Sequence, residues 1–425
     1  MHDILLGVAG KPVFHSKSPV IFNSVFKKYN IDGAYFRILC NDEHKLFSII
    51  RSLDMKGTNA TSPLKEKIFS SLDDCDINAL RSKSVNCIKN IDGKLKGFST
   101  DHYGVITPLQ KIINPENKKI VIAGAGGAAR AAVSGLIDFS SDITLINRTE
   151  SKAKDIAAEF NCSWISYENC SDILSECDIL VSTLPAGISI PFMDKINKKA
   201  VLFDANYKKS LIEEFAVKNG MQFISGEKWL LNQAAPAFNI FLDGDITSIE
   251  ADISSDITYD RDVIILTGFM CSGKTAAGTA LAEKLGYQFA DMDEIIENET
   301  GLSITEIFNK HGESYFRSAE TELLKKLISQ KKILISTGGG IILSEENRNL
   351  IKEKLCVWIF SDIKESIKRD NGSRPLLSGE NKAEVAKKIF NERKKYYAEC
   401  CSFMAYNDGK IEDLIRNVYE EISLI

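Results

Sequence analysis

Apolar residues gather in short runs along the chain, each ending on glycine or a small polar residue. DILLGVAG at 3–10, KIVIAGAGG at 119–127, DITLINRT at 142–149, CDILVSTLP at 177–185, AVLFDANY at 200–207, VIILTGFM from 263 and KILISTGGG at 332–340 read as strands. Between them lie helical spacings such as SKAKDIAAEF at 151–160 and KTAAGTALAEKLG at 274–286. Strands spaced by helical patterns predict βαβ repeats and parallel sheets, an α/β protein throughout.

The pattern breaks at 243–262, DGDITSIEADISSDITYDRD, which is rich in Asp, Ser and Thr and has no sustained apolar period. A linker is expected at 248–261. Behind it, 262–425 forms one α/β domain. Ahead of it, 1–103 forms an α/β lobe, completed by about 233–247, and 104–232 a second lobe that opens on KIVIAGAGG. A polar linker between long halves predicts that each half folds and works when separated.

At 425 residues the chain exceeds one ordinary core. With 44% hydrophobic and 26% charged residues it has the balance of a soluble globular protein. A net charge of −5 provides no basic field for nucleic acid or an anionic membrane. The N-terminus MHDILLGVAGKPVF lacks a basic region before its apolar run, and no run nears the ~18 apolar residues of a membrane helix. The 10 cysteines show no paired CxxC spacing, which fits free thiols in a reducing cytoplasm, and 5 histidines without clustered ligands do not suggest zinc. Small-molecule substrates are therefore the expected partners. Oligomeric state, monomer or homodimer, stays open.

Two stretches carry nucleotide chemistry. GFMCSGKT at 268–275 matches G-x-x-x-x-G-K-[ST] between a strand and a helix, so its backbone N–H groups should surround phosphate oxygens. Gly268, Cys271, Ser272, Gly273, Lys274 and Thr275 are the expected ATP residues, with Lys274 on the terminal phosphates and Thr275 on Mg²⁺. GAGGAAR gives Gly124-x-Gly126-x-x-Ala129, again from strand into helix, with Ala125, Gly127 and Ala128 in the same turn. The next strand ends on Asn147, Arg148 and Thr149, followed by Lys152, where an NAD site would place an acidic residue. Cations at a helix start oppose its dipole, so they point to a 2′-phosphate and to NADP(H).

The rear domain resembles shikimate kinase, through the P-loop, ADMDEIIE (290–297), GESYFRSAE (312–320), KILISTGGG, SRPLL (373–377) and NERKKYY (391–397), in that order. The resemblance implies a P-loop fold of the nucleoside monophosphate kinase type. It gives Asp293 the ring hydroxyls of shikimate and a share in activating the attacking one. Arg317 and Arg393 would hold the carboxylate, Glu320 would orient Arg317, and Gly338, Gly339 and Gly340 would let backbone approach the substrate. Asp291 would join Thr275 at Mg²⁺, Arg374 would close over the transferring phosphate, and Arg369 would meet the adenine. Cys271 stands where the family usually has glycine.

Residues 1 to about 245 resemble shikimate dehydrogenase, through GKPVFHSKSP (10–19), NATSPLKE (59–66), SVNC (84–87), GFSTDHYG (97–104), GAGGAAR, NRT, FDANY and NQAAPAF (232–238). The resemblance implies a substrate lobe before a Rossmann lobe and a catalytic pair, Lys65 and Asp101. Ser16 and Ser18 would take the substrate carboxylate. Asn59, Thr61, Asn86 and Gln233 would take ring hydroxyls, with Tyr207 near the same pocket. Ser99 and Cys87 depart from the family's usual Asn and Thr. Together the halves imply reduction of 3-dehydroshikimate with NADPH, then phosphorylation of shikimate by ATP and Mg²⁺. The alternative is a kinase fused to a quinate-preferring or non-catalytic dehydrogenase-like module.

Overall fold

The computed structural model describes residues 4–185, 187–207, 209–254, 258–370 and 381–425. The chain forms two compact units that do not follow chain order: Met1–Pro19 with Phe26–Leu64 and Asp256–Ile425, and Val20–Val25 with Lys65–Ser255.

In the first unit, parallel strands run side by side in the order Gln288–Asp291, Ile333–Ser336, Asp260–Thr267, Lys354–Phe360, Phe403–Tyr406, Gly33–Leu39, Ile4–Gly10 and Gly57–Ala60. Val263, Ile264, Ile265 and Leu266 are fully buried at the centre of the rear half, so the glycine loop emerges from a rigid strand. Helix Lys274–Leu285 follows the loop and ends at Gly286, whose φ of +68° is the left-handed stop that glycine adopts without strain.

Where a polar linker predicts separable halves, the structure runs one sheet through both. Met404 pairs with Ile38 and Ala405 with Leu39, and the Phe36 ring lies 5.6 Å from the buried Trp358 indole. Without this pairing, Phe403–Tyr406 and Gly33–Leu39 would be apolar sheet edges open to foreign strands. The linker itself is less polar in structure than in sequence. Ile249 and Ile253 are buried, with 247–252 lying beside Thr107, Leu231 and Ala235, and the strand from Asp260 begins inside the expected 248–261.

The second unit holds a parallel sheet in the order Phe223–Ile224, Val201–Asp204, Ile179–Ser182, Ile120–Ala123, Ile143–Asn147, Ser163–Ser166. Successive side chains alternate between its faces: Ile120 and Ile122 join one apolar cluster, Val121 and Ala123 the other. This two-sided burial is why the strand reads as an unbroken apolar run. Elsewhere in the unit, Cys87–Ile91 and Lys94–Phe98 pair antiparallel around Asp92 and Gly93, both at positive φ. The Asp-Gly dipeptide is the usual signal for such a hairpin.

Candidate active sites

The expected dehydrogenase residues of the second unit converge on Asp101, at the start of helix Asp101–Gln110. Lys65 Nζ lies 2.5 Å from Asp101 Oδ2, and Asn86 Nδ2 donates to Oδ1 at 2.9 Å. Asp101 is buried, so these donors stand in for the water its charge has lost. Asn86 Nδ2 is also 3.0 Å from Gln233 Oε1, on helix Gly226–Leu242, and Asn86 Oδ1 accepts from Thr100 N at 2.8 Å. The two departures keep small buried side chains: Cys87 Sγ lies 3.7 Å from Thr100 Oγ1, and Ser99 N donates to Asp76 Oδ1 at 3.2 Å. Burial pushes the Cys87 thiol far above its usual range, so it is no nucleophile here. Tyr207 is half-buried, just past strand Val201–Asp204.

Ser16, Ser18, Asn59 and Thr61 belong to the first unit. Ser16 Oγ donates to Ser18 Oγ at 3.3 Å and accepts from Ser18 N at 3.4 Å, which brings the two hydroxyls together on one turn. Asn59 Oδ1 accepts from the Tyr35 hydroxyl at 2.7 Å, fixing the amide at the end of strand Gly57–Ala60. A Cβ at Gly10 would meet Thr61 Cγ2 at 2.3 Å, so glycine there lets the Thr61 segment approach.

The dinucleotide residues line a cleft of about 370 Å³: Gly124, Ala125 and Gly126 on one side, Asn147, Arg148, Thr149 and Lys152 on another. Gly124, at φ +118°, leaves room for Thr183 Oγ1, which a Cβ would meet at 2.2 Å. Around Gly126 and Gly127 a Cβ would meet nothing, so the backbone that opens helix Gly127–Leu136 is bare to a phosphate. Ala128 follows within that helix. Tyr167, Thr183 and Ile188 also line the cleft, beside Leu184 and Pro185. No local motif marks these three, which the sheet brings in from later turns.

In the P-loop, Gly268, Cys271 and Gly273 adopt φ of +149°, +56° and +98°, alternating conformations that turn successive N–H groups inward. Cys271 is left-handed, which explains why glycine is usual there; a side chain costs roughly 1–2 kcal/mol in that region. The Lys274 ammonium folds onto the carbonyls of Gly268 at 3.0 Å and Phe269 at 2.9 Å, and the Ser272 hydroxyl is buried without a partner among the described residues. Thr275 Oγ1 donates to Asp291 Oδ2 at 2.7 Å. A hydroxyl beside a carboxylate is a hard-oxygen set suited to Mg²⁺, which takes its remaining ligands from phosphate and water.

The acceptor residues meet around the glycine run. A Cβ at Gly338 would come within 2.4 Å of Glu320 Oε1 and 2.9 Å of Asp293 Oδ1, and one at Gly340 within 2.5 Å of the Arg317 guanidinium. These glycines therefore make room for the acid and the arginine, besides exposing backbone. Arg317 pairs with Glu320, and with Glu313 at 2.8 Å. Burial pushes the Glu320 carboxyl up to about 7 against the pull of Arg317. Arg393 Nη1 donates to Gly339 O at 3.2 Å, and the Tyr397 hydroxyl donates to the same oxygen. Asn407 Nδ2 donates to Ser272 O at 2.8 Å beside Gly273. Arg369 sits by the following turn, 3.9 Å from a Cβ at Gly409, and donates to Ser361 Oγ at 3.4 Å. Tyr397 and Asn407 carry no signal of their own in the sequence, whereas Glu313 stands at the i,i+4 spacing from Arg317 that pairs charges along a helix. Arg374 lies outside the described residues.

Comparison with known proteins finds both sets of motifs in families. The family model for shikimate kinase matches residues 270–423, the shikimate dehydrogenase substrate binding domain 8–88, and shikimate / quinate 5-dehydrogenase 109–204. A shikimate dehydrogenase (NADP(+)) of Clostridium perfringens is 34% identical over 249 residues, 56% of this chain and 92% of the relative. The crystal structure of the Aquifex aeolicus shikimate dehydrogenase superposes with a TM-score of 0.55 at 31% identity, covering 57% of this chain and 94% of that one. A Thermus thermophilus shikimate 5-dehydrogenase, solved with NADP(H) and shikimate, gives a TM-score of 0.50 at 25% identity, covering 56% and 94%.

Proposed function

From a chain that belongs to the shikimate dehydrogenase family over its front half and carries a shikimate kinase domain behind it, we propose one bifunctional enzyme of the shikimate pathway. It reduces 3-dehydroshikimate to shikimate with NADPH and then phosphorylates shikimate with ATP and Mg²⁺. The observation that carries the first step is the Lys65–Asp101 pair. The substrate ketone gains a hydride from the dihydronicotinamide, and Lys65 supplies the proton its oxygen needs. Asp101 holds Lys65 in place through their ion pair. Asn86, Gln233, Asn59 and Thr61 take ring hydroxyls, Ser16 and Ser18 the carboxylate, and Tyr207 is a weaker candidate for the same substrate.

For the second step, Lys274 and the loop amides would hold the ATP phosphates, while the Thr275 hydroxyl would ligate Mg²⁺ and Asp291 would act on it through water. Arg317 and Arg393 fix the shikimate carboxylate by their planar forks. Asp293 orients the attacking hydroxyl and takes its proton, and Arg374 would supply the cation that stabilises the phosphate in transfer. Arg369 reaches the adenine.

By function the divisions are a substrate lobe at 1–103, completed by about 233–247, an NADP lobe at 104–232, and the kinase from strand Asp260–Thr267 onward, with the connector ahead of that strand. No helix among the described residues is long and apolar enough to cross a membrane. Incubation with 3-dehydroshikimate, NADPH, ATP and Mg²⁺ should yield shikimate 3-phosphate, NADP⁺ and ADP. Shikimate kinase activity without any NADPH oxidation would reduce the front half to a binding module; oxidation faster with 3-dehydroquinate would make it a quinate enzyme.

Cofactor choice has its own test. Arg148 and Lys152 line the cleft where only NADPH presents a 2′-phosphate. Arg148→Ala should raise KM for NADPH roughly 10-fold or more, the cost of a lost charge-assisted contact, and leave KM for NADH nearly unchanged. Equal loss for both cofactors would make Arg148 structural.

A further inference from the structure

The segment that carries Ser16 and Ser18 leaves the sheet at Gly10 and has no ladder partner for its own backbone until helix Ser18–Lys28 begins. Lys11 N donates to Ser62 O at 3.2 Å and Ser16 N to Val13 O at 3.0 Å, whereas the N–H groups of Val13 and Phe14 are met from the far end of the chain. Glu421, on helix Ile411–Ser423, accepts from Val13 N at 2.7 Å and from Phe14 N at 2.6 Å through one carboxylate oxygen. Glu421 is 1% exposed. Burial raises its pKa, and those two N–H groups, with Lys11 and Arg37, work against the rise. A carboxylate this deep is tolerable only while its donors are in place.

The same segment has two further ties. Lys11 Nζ donates to Asn417 Oδ1 at 2.6 Å and pairs with Glu420 at 2.7 Å, so one face of the last helix grips residues 11–14. Arg37 donates to Ser16 O from Nε at 3.0 Å and Nη2 at 2.7 Å, and to Ser402 O from Nη1 at 3.1 Å. Ser402 is itself fixed on the kinase sheet: its N donates to Cys356 O at 2.7 Å, and its Oγ accepts from Cys356 N at 3.0 Å. The Phe14 ring is 5.3 Å from Tyr259.

We infer that the kinase part of the chain positions the carboxylate-binding turn of the dehydrogenase, with Glu421 and the Arg37–Ser402 bridge as the positioning groups. The inference rests on the reading of Ser16 and Ser18 as the residues that take the substrate carboxylate. Glu421 touches no substrate; it fixes the backbone from which the two hydroxyls project. Such a residue acts on ground-state binding and transition state alike, so its loss falls on KM rather than on kcat.

The test uses the full-length chain. Glu421→Gln keeps the shape and an oxygen able to accept both hydrogen bonds, but removes the charge that strengthens them. Arg37→Lys keeps the charge but loses the fork. Each should raise KM for 3-dehydroshikimate roughly 10-fold, the range for a hydrogen bond to a charged group, with kcat changed less than about 3-fold. KM for NADPH and both kinase KM values should not move, which also shows that the variant is folded. Unchanged KM for 3-dehydroshikimate in both variants, or a parallel rise in every constant, would overturn the inference. Ser16→Ala separates it from the reading beneath it. If Ser16→Ala raises that KM while Glu421→Gln does not, the inference alone falls. If Ser16→Ala has no effect, the carboxylate assignment fails and the inference fails with it.

Discussion

Lys65→Ala is expected to lower turnover in the reduction of 3-dehydroshikimate by roughly 10²- to 10⁴-fold, the span for loss of a positioned general acid. Lys65 is the residue through which a proton reaches the developing alkoxide, and its ammonium is held 2.5 Å from Asp101. Without it Asp101 keeps Asn86, which is neutral and cannot replace the charge. Asp101→Asn tests the pair from its other side, since it leaves Lys65 in place without its anchor. NADPH oxidation is the measurement, and kinase activity on supplied shikimate, which should survive, is the internal control. Turnover within 10-fold of the parent chain would remove Lys65 from the chemistry; joint loss of both activities would show a folding defect and leave the role unsupported.

Lys274→Ala is expected to cut phosphoryl transfer by on the order of 10²- to 10³-fold, comparable to losing one preorganised charge-stabilising donor. In the structure its ammonium lies on the carbonyls of Gly268 and Phe269, inside the loop that the ATP phosphates would fill. Supplied with 3-dehydroshikimate, NADPH, ATP and Mg²⁺, the variant should accumulate shikimate and release almost no ADP. Its rate of NADPH oxidation should match that of the parent, because Lys274 plays no part in the tethering contacts of Glu421 and Arg37. ADP release near the parental rate would mean that the loop amides alone hold the phosphates.

These two lysines also show what could be read without coordinates. The P-loop was legible because its function is carried by consecutive backbone groups: one glycine-rich octet, between a strand and a helix, contains nearly the whole phosphate site. The dinucleotide turn is local for the same reason, and Arg148 with Lys152 announces its cofactor two strands' length away. The pairing of Lys65 with Asp101 came from the order of dispersed motifs, and only the fold showed the buried carboxylate that makes the pair work. Cys271 could be seen as a departure from glycine, but its φ of +56° gives the physical reason.

Other features had no local signal. Asn407 and Tyr397 reach the kinase loops, and Tyr167 and Thr183 the dinucleotide cleft, by tertiary approach. Gly338 and Gly340 promised backbone exposure, and the structure adds that they clear space for Glu320, Asp293 and Arg317. Least legible of all was the sheet that joins the halves. The alternation of strands and helices determined that both halves are α/β, and the polar run at 243–262 suggested that they stand apart. The pairing of Met404 with Ile38, and of Ala405 with Leu39, uses backbone N–H and C=O groups that every strand carries. An edge strand's sequence says that it is apolar and extended; which edge it meets is decided only when the other side chains, Trp358 against Phe36 and Glu421 under Val13 and Phe14, have found their places.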